Sequence, residues 1–188
     1  MLTAEQLSEF LEKLKNLLAR NNGDDPYQTL VDAPFHDKLY SVQLDLGIIA
    51  LAVVNSQRKF INRVALSDTQ LAKDGDEASS KPFHEITIPY GHKTNIVAKA
   101  IRTDSTLETL DWKDLFVPAL SESDSRFNQA ASGIGGSIVA PFKTKHTTGA
   151  LIFDFFQPLE NLNEQHHAFV EEYTNIAKSV MAKQALLS

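Results

Sequence analysis

Apolar residues recur at spacings of three and four near both ends of the chain. The first series comprises Leu7, Phe10, Leu11, Leu14, Leu17 and Leu18, and the second Leu162, His166, Phe169, Tyr173, Ile176 and Val180. Each series places its side chains on one helix face. We therefore predict a helical segment within residues 1–33, with a second short helix over 27–32, and a long C-terminal helix within 159–188. The second series has a period of about 3.5, which is typical of a coiled-coil seam.

Between these segments, over residues 45–158, the period changes to two. Leu46–Val54 is apolar on both alternating faces, which indicates a central strand that is covered on both sides. A short polar turn joins it to the alternating run Phe60–Leu66, so the two strands pair antiparallel. Further strands are predicted over 83–88, 137–142 and 150–156. The pattern thus predicts an α/β domain of the α+β type with a central antiparallel sheet of five or six strands.

The connections between these strands differ in character. Residues 68–81 are polar and are predicted to form a surface loop, whereas Thr94 is predicted to cap a helix that continues to Ile101. Residues 104–123 form a long connection, and a short helix is predicted over 125–131. Gly133, Gly135 and Gly136 lack the lysine of a phosphate-binding loop and precede a strand, which favours a tight turn.

Charge and composition narrow the function classes. The 188 residues carry a net charge of -6, which argues against electrostatic binding of nucleic acid. The polar N-terminus is not a secretory signal, and the longest apolar run, 47–54, is too short to span a membrane. We therefore expect a cytoplasmic protein with neither a nucleic-acid nor a membrane partner. The sequence has no cysteine, which excludes disulfides and thiolate chemistry.

Three stretches of the chain match the order and apolar pattern of a known fold. The first is 46–69 and the second is 95–103. The third and strongest combines Asp124-Ser125-Arg126-Phe127, Gly133-Ile134, the strand from Ser137 to Phe142, and the strand from Gly149 to Phe153. Together they resemble the GAF domain family, a relative of the PAS fold, over about residues 45–182. The resemblance implies a sensor of signal transduction, with helices that include both terminal ones on one sheet face and a loop-covered pocket on the other.

The same resemblance implies a homodimer that forms through the terminal helices. It does not imply an enzyme here, because bilin attachment and thiol-based reduction of free methionine sulfoxide both need a cysteine. The cyclic-nucleotide signature of some members is also missing, since no Asp-Glu pair follows Phe127 at the required spacing. No nucleophile elbow occurs in the sequence. We therefore predict no catalytic residue.

Histidines do not predict a metal site. His166 and His167 are adjacent on a helix, so their side chains diverge by about 100°. We expect one of them at an interface and the other in solvent. His84 or His92 offers an axial ligand for haem, but nothing distinguishes either from a surface histidine. The cofactor is left unknown.

The resemblance directs the ligand pocket to residues 104–136 and the sheet beneath them. The candidate ligand-binding residues are Tyr90, Trp112, Phe116, Arg126, Phe127, Asn128 and Ser137. The aromatic residues can wall a cavity, Arg126 and Asn128 can orient polar groups, and Tyr90 and Ser137 would line the floor. Alternatively, the aromatics simply fill the core. Asp154 lies between two phenylalanines and is expected to face solvent at a sheet edge, the alternative being a cavity.

Two functions remain open. The first is a non-catalytic sensor domain that binds a small molecule of unknown identity, and the second is a protein–protein interaction or dimerisation module without a ligand. An open, polar-lined cavity favours the first and a filled cavity favours the second. No output domain is recognisable, so the chain is expected either to act in trans as a stand-alone sensor or to be a fragment of a longer protein.

Overall fold

Six antiparallel strands form one sheet in the part of the chain that the computed structural model describes, residues 2–20 and 25–184. The strands are β1 (Leu46–Val54), β2 (Phe60–Leu66), β3 (Thr87–Pro89), β4 (Leu107–Thr109), β5 (Gly136–Lys143) and β6 (Thr148–Phe155). Their spatial order is β3-β2-β1-β6-β5-β4. The prediction of an antiparallel sheet of five or six strands is therefore confirmed, with both predicted hairpins in place.

The terminal helices cover one face of this sheet. They are α1 (Ala4–Arg20) and α8 (Glu164–Gln184), and two short helices, α2 (Pro26–Asp32) and α3 (Lys38–Gln43), lie between α1 and β1. Helix α1 begins with a capping box, in which Gln6 N donates to Thr3 Oγ1 and Thr3 N donates to Gln6 Oε1. Residues 21–24 of the predicted N-terminal helical segment and residues 185–188 of the predicted C-terminal helix lie outside the described residues.

Contacts between aromatic rings join the terminal helices to the sheet. Phe169 of α8 lies at the centre, with ring centroids 5.9 Å from Phe10 of α1, 5.9 Å from Phe153 of β6 and 5.5 Å from Tyr173. The hydroxyl of Tyr173 donates to the backbone oxygen of Leu30 at 2.5 Å, which ties α8 to α2. These contacts bury part of the apolar stripe of each helix against the sheet.

The opposite face is covered mainly by helices rather than by a loop. They are α4 (Gln70–Ala78), α5 (Ile96–Thr103), α6 (Lys113–Phe116) and α7 (Glu122–Ser132). The prediction of a surface loop over 68–81 is wrong, because Thr69 caps α4 through the N–H of Ala72. Helix α4 packs through small residues: a Cβ added to Gly75 would lie 2.4 Å from Ser132 Oγ of α7. Because this close packing requires small residues, the sequence of α4 lacks the stripe of bulky apolar residues that would have predicted a helix.

Three other local predictions need correction. The strand predicted over 83–88 pairs only at Thr87–Pro89, and Phe83–Glu85 forms a 3-10 turn. Asn95, rather than Thr94, caps α5, accepting from the N–H of Ala98 while its Nδ2 donates to two backbone oxygens of the segment around α6. The long connection holds strand β4 and helix α6.

The turn predicted at the glycines is confirmed at Gly133. This residue ends α7 with a left-handed φ of 64°, a conformation that favours glycine. Within residues 2–20 and 25–184, no helix is both long and apolar enough to cross a membrane.

Candidate functional site

A small cavity lies between the second face of the sheet and its helical cover. Its volume is about 30 Å³, which is room for about one water molecule. The floor is formed by side chains of β1, β2 and β6, namely Ile48, Ala50, Arg63 and Asp154. The cover contributes side chains of α4, α6 and α7 and the aromatic rings of Phe83, Trp112 and Phe116. Arg63 and Asp154 therefore lie on the floor of the cavity, and the cover adds the polar residues Asp76, Ser79 and Asn128 to its lining.

Arg63 is a buried cation with a free donor. Its side chain is only 4% exposed, and Nη2 donates to the backbone oxygen of Leu115 at 3.3 Å. Its Nε is buried and has no hydrogen-bond partner among the described residues. The guanidinium carbon lies 4.2 Å from the ring centroid of Phe116 and 5.7 Å from that of Phe83. Burial lowers the pKa of Arg63 to about 10, so the side chain keeps its charge at neutral pH.

Asp154 is a buried carboxylate on the same floor, 4% exposed. Ser137 Oγ donates to its Oδ1 at 2.5 Å, and Trp112 Nε1 donates to Ser137 Oγ at 3.1 Å. Burial raises the pKa of Asp154 to about 6, although the Ser137 hydrogen bond, the charge of Arg63 and Trp112 oppose the rise. The expectation that Asp154 faces solvent at an edge is wrong. Strand β6 lies between β1 and β5, so it is not an edge strand, and helices cover both faces of the sheet.

The two buried charges do not form an ion pair. No carboxylate of the described chain lies within 4.0 Å of the Arg63 guanidinium. The two charges nevertheless interact electrostatically, because Asp154 raises the pKa of Arg63 and Arg63 lowers the pKa of Asp154. The lining of the cavity therefore includes a free hydrogen-bond donor and a carboxylate that are not paired with each other, an arrangement suited to a ligand with both an acceptor and a donor.

Four of the predicted ligand-binding residues are at or next to this cavity. Trp112, Phe116 and Asn128 line it, and Ser137 lies behind Asp154 and orients that carboxylate. The amide of Asn128 is best oriented with its nitrogen toward the backbone oxygens of Ala78 and Asp124, and with its oxygen accepting from the Ser79 hydroxyl, each at 3.1 Å. Asn128 thus joins α7 to the end of α4 at the cavity wall.

The other three predicted residues do not face the cavity. Tyr90 is half-buried beside the second core and accepts from Arg102 through its backbone oxygen. Arg126 lies at the surface, where Nε and Nη2 both donate to Asp111 Oδ2 at 2.8–2.9 Å. Phe127 is 64% exposed. Placing Arg126 and Phe127 in the cavity was therefore wrong, because the inward face of α7 is formed by Ser125, Asn128 and Ser132.

Comparison with known proteins identifies the fold. No protein-family model matches the sequence, and no curated protein matches it. The structure is similar to the GAF domain of a phosphoenolpyruvate-protein phosphotransferase from Acinetobacter, with a TM-score of 0.65 and 8% identity over 100% of this chain and 98% of that one. The corresponding domain from Coxiella burnetii has a TM-score of 0.65 and 12% identity, with 98% of each chain covered. The chain has a GAF-like fold.

A third similar structure is an enzyme. It is the free methionine-R-sulfoxide reductase from Neisseria meningitidis in complex with its substrate, with a TM-score of 0.60 and 14% identity over 97% of this chain and 93% of that one. The GAF-like fold is thus that of sensor and signalling domains, but it is also shared with a reductase. Fold alone does not decide the chemistry, which has to be argued from the cavity.

Arg63 was not predicted from the sequence, yet a signal for it exists. In the GAF-like sheet, Arg63 alternates in phase with the buried Ile61, so both side chains face the helical cover. An irregularity in the pairing of β1 and β2, between Leu51 and Ala52, then turns Ala65 to the opposite face. Asp154 could have been recognised in the same way, because it lies two residues after the apolar Ile152 on β6 and so points to the same face of the sheet, toward the helical cover.

The histidines considered as ligands are not grouped at this site. His84 is exposed, and His92 accepts from the N–H of Asn95 through Nδ1. His166 is buried against Phe155, whereas His167 is exposed and lies 3.4 Å from Glu108. In the described part of the chain, no three His, Asp or Glu side chains converge in a way that could hold a metal ion.

A second concave surface lies between the terminal helices of the GAF-like fold. This groove, which we call the α1–α8 groove, has a volume of about 860 Å³. Its apolar lining includes Leu7, Leu11, Leu18, Ala168, Ile176 and Val180. The C-terminal stripe is therefore divided: Phe169 and Tyr173 face the sheet of their own chain, while Ile176 and Val180 face the groove.

Proposed function

We propose that this chain is a non-catalytic sensor domain that binds a small molecule in the cavity between Arg63 and Asp154. The observation that carries the proposal is the unpartnered Nε of Arg63, a charged donor buried at the cavity. Burying a charge without a hydrogen-bonded partner is costly, often by several kcal/mol. A bound ligand that accepts from Nε would relieve this cost.

A sensory role is also supported by the neighbours in fold. They include GAF domains of phosphotransferases and a segment of a methyl-accepting chemotaxis protein. The reductases of the same fold support the enzyme alternative less well for this chain, because thiol-based reduction needs a cysteine and this sequence has none. Binding without turnover is therefore the simpler role for the cavity.

The cavity has to open before a metabolite enters. At about 30 Å³ it is smaller than any common metabolite, and by volume alone it resembles a filled core. The cover includes Phe83, which is half-buried on an otherwise exposed segment and is held by a hydrogen bond from its N–H to Asp76 Oδ1 at 2.8 Å. We expect this segment to move when the ligand binds, since most of its side chains are exposed to solvent.

Native mass spectrometry of protein purified from cells tests this proposal. We expect a small molecule to be retained by the wild type and to be lost from Phe116→Leu, which alters the ring that stacks on Arg63. The matched control is Phe127→Leu, because Phe127 is exposed and lies on the cover outside the cavity. Trp112 is the only tryptophan and lines the cavity, so its fluorescence reports rebinding. Equal retention by both variants would place the ligand elsewhere.

The α1–α8 groove favours a second function, a homodimerisation module. A groove of about 860 Å³ with a largely aliphatic lining can accept a helix, and its rim carries charges of both signs from residues such as Glu12, Lys15, Glu172 and Lys183. The same helices of a second copy are chemically matched to it. The two roles are compatible, because the groove and the cavity lie on opposite faces of the sheet.

Charged substitutions in the α1–α8 groove should dissociate the proposed dimer. Leu11→Glu and Ile176→Glu each bury a carboxylate in the interface, which should weaken association by about 10-fold or more. Leu39→Glu is the matched control, since Leu39 is 62% exposed on α3 and outside the groove. Light scattering at high micromolar concentration measures the mass. A wild type that is monomeric at that concentration would exclude this interface.

A further inference from the structure

We propose that the cavity recognises a small zwitterion of the free α-amino acid class, with the ligand carboxylate on Arg63 and the ligand ammonium on Asp154. This inference rests on the proposed function, because it names the class of ligand for the same cavity. It follows from four properties of the cavity: the geometry of the guanidinium, the way the carboxylate is held, the separation of the two charges, and the apolar walls.

The guanidinium of Arg63 is held in place by its neighbours and keeps one donor available for an anion. Phe116 and Phe83 lie near the guanidinium, and Nη2 already donates to the backbone oxygen of Leu115. Nε lies on the same edge as Nη2 and is the buried donor without a partner. A carboxylate that approaches this edge would accept from Nε in a charge-assisted hydrogen bond, which is about twice as strong as a neutral one.

Asp154 is held so that it can accept from a cation. Its Oδ1 accepts from Ser137 Oγ, whose position is fixed in turn by Trp112 Nε1. An ionised carboxylate has only acceptor sites, about four in all, so this support leaves capacity for a further donor. An ammonium group supplies such a donor together with the opposite charge.

The separation of the two charges selects a ligand that carries both ends. Arg63 and Asp154 are each buried, share one cavity and are not within ion-pair distance of each other. An anion alone would leave Asp154 unpaired and add a second negative charge beside it, and an amine alone would leave Nε of Arg63 unpaired. A zwitterion satisfies both groups, and the uncompensated charge disfavours the other two classes.

The rest of the wall favours an apolar side chain. The apolar part of the cavity lining includes Ile48, Ala50, Ile86 and the ring of Trp112. Amino acids with aliphatic or thioether side chains match this surface. Because the closed cavity is smaller than such a ligand, binding should move Trp112 or its surroundings and change its fluorescence.

Titration of the intact protein with matched ligands tests the inference. The probes are L-alanine, L-valine, L-leucine and L-methionine, and for leucine also 3-methylbutylamine and 4-methylpentanoate, which lack the carboxylate and the amino group respectively. We expect at least one amino acid to bind, and each truncated analogue to bind about 100-fold more weakly than leucine, since each leaves one buried charge unpaired. Trp112 fluorescence and calorimetry measure the affinities.

Variants then separate recognition from a structural role. Arg63→Lys should weaken binding of the amino acid, and Asp154→Asn should also reduce the preference for leucine over 4-methylpentanoate, because the repulsive charge is gone. Arg126→Lys is the control, since Arg126 is paired with Asp111 at the surface. A purely structural Asp154 would leave the ligand preference unchanged, which would overturn the inference.

Two results on the wild type would also overturn it. One is binding of 4-methylpentanoate or 3-methylbutylamine as tightly as leucine. The other is the absence of binding by all four amino acids. If a different small molecule is still retained in native mass spectrometry, the sensor function survives and only the ligand class is wrong. If nothing is retained either, both proposals fail, and Arg63 and Asp154 are structural.

Discussion

Replacing Phe169 with alanine should lower the free energy of unfolding by about 3–5 kcal/mol. Phe169 is fully buried and contacts the rings of Phe10, Phe153 and Tyr173, which belong to α1, β6 and α8. The substitution removes these contacts and leaves a cavity at the junction of both terminal helices with the sheet. Large losses of this kind are expected where several elements meet and cannot collapse together.

Phe127→Ala provides the matched control for this prediction. Phe127 also lies on a helix, but it is 64% exposed, so its loss should change the free energy of unfolding by no more than about 0.5 kcal/mol. Denaturation with urea, followed by circular dichroism, gives both values. A loss for Phe169→Ala as small as that of the control would mean that the aromatic cluster does not hold the terminal helices on the sheet.

Asp154 should make the protein less stable as the pH rises from about 4 to about 7. Its pKa is about 6 in the folded chain against an ordinary value of 3.8 in an unfolded chain, so the folded state binds more protons in this window. Stability therefore falls with rising pH, by about 3 kcal/mol in total for a shift of this size. The extra stability is fully present below the unfolded pKa and is lost as the pH passes the folded pKa.

The difference between wild type and Asp154→Asn isolates this effect, since other carboxylates contribute equally to both proteins. The free energy of unfolding of the variant, relative to wild type, should rise by about 2.5 kcal/mol between pH 4 and pH 7. Glu77→Gln is the control, because Glu77 is exposed on α4 and its removal should leave the pH profile unchanged. Urea denaturation at a series of pH values measures the profile. Parallel profiles for wild type and Asp154→Asn would show that Asp154 is ionised in the fold without cost.

The candidate site was only partly accessible to sequence reasoning. Trp112, Phe116 and Asn128 were predicted and line the cavity, whereas Arg126 and Phe127 face solvent. The usual rule that the apolar side of a helix faces inward fails at α7, where polar side chains face the protein. They do so because the neighbouring α4 presents backbone oxygens and hydroxyls, as in the contacts of Asn128. That neighbour was itself predicted to be a loop.

The sequence likewise did not reveal that Arg63 and Asp154 lie on the floor of the cavity. Alternation placed Asp154 on the opposite side of its strand from Phe153 and Phe155, but it did not say whether that side faces solvent. The answer depends on β1 and β5 as neighbours of β6 and on the helices above them, which are contacts between residues distant in the sequence. Arg63 was overlooked for the same reason.

The sequence by itself determined the elements whose signals are local: the terminal helices, the two hairpins and the turn at Gly133. Spacing and turn chemistry specify these elements because they act within a few residues. The resemblance carried by three of its stretches also led to the GAF-like fold. Only the tertiary structure decided that helices cover both sheet faces, which side of α7 is buried, and that Arg63 and Asp154 share a cavity. Burial depends on packing between distant segments, and the hydrophobic effect acts on the surface that these segments jointly remove from water.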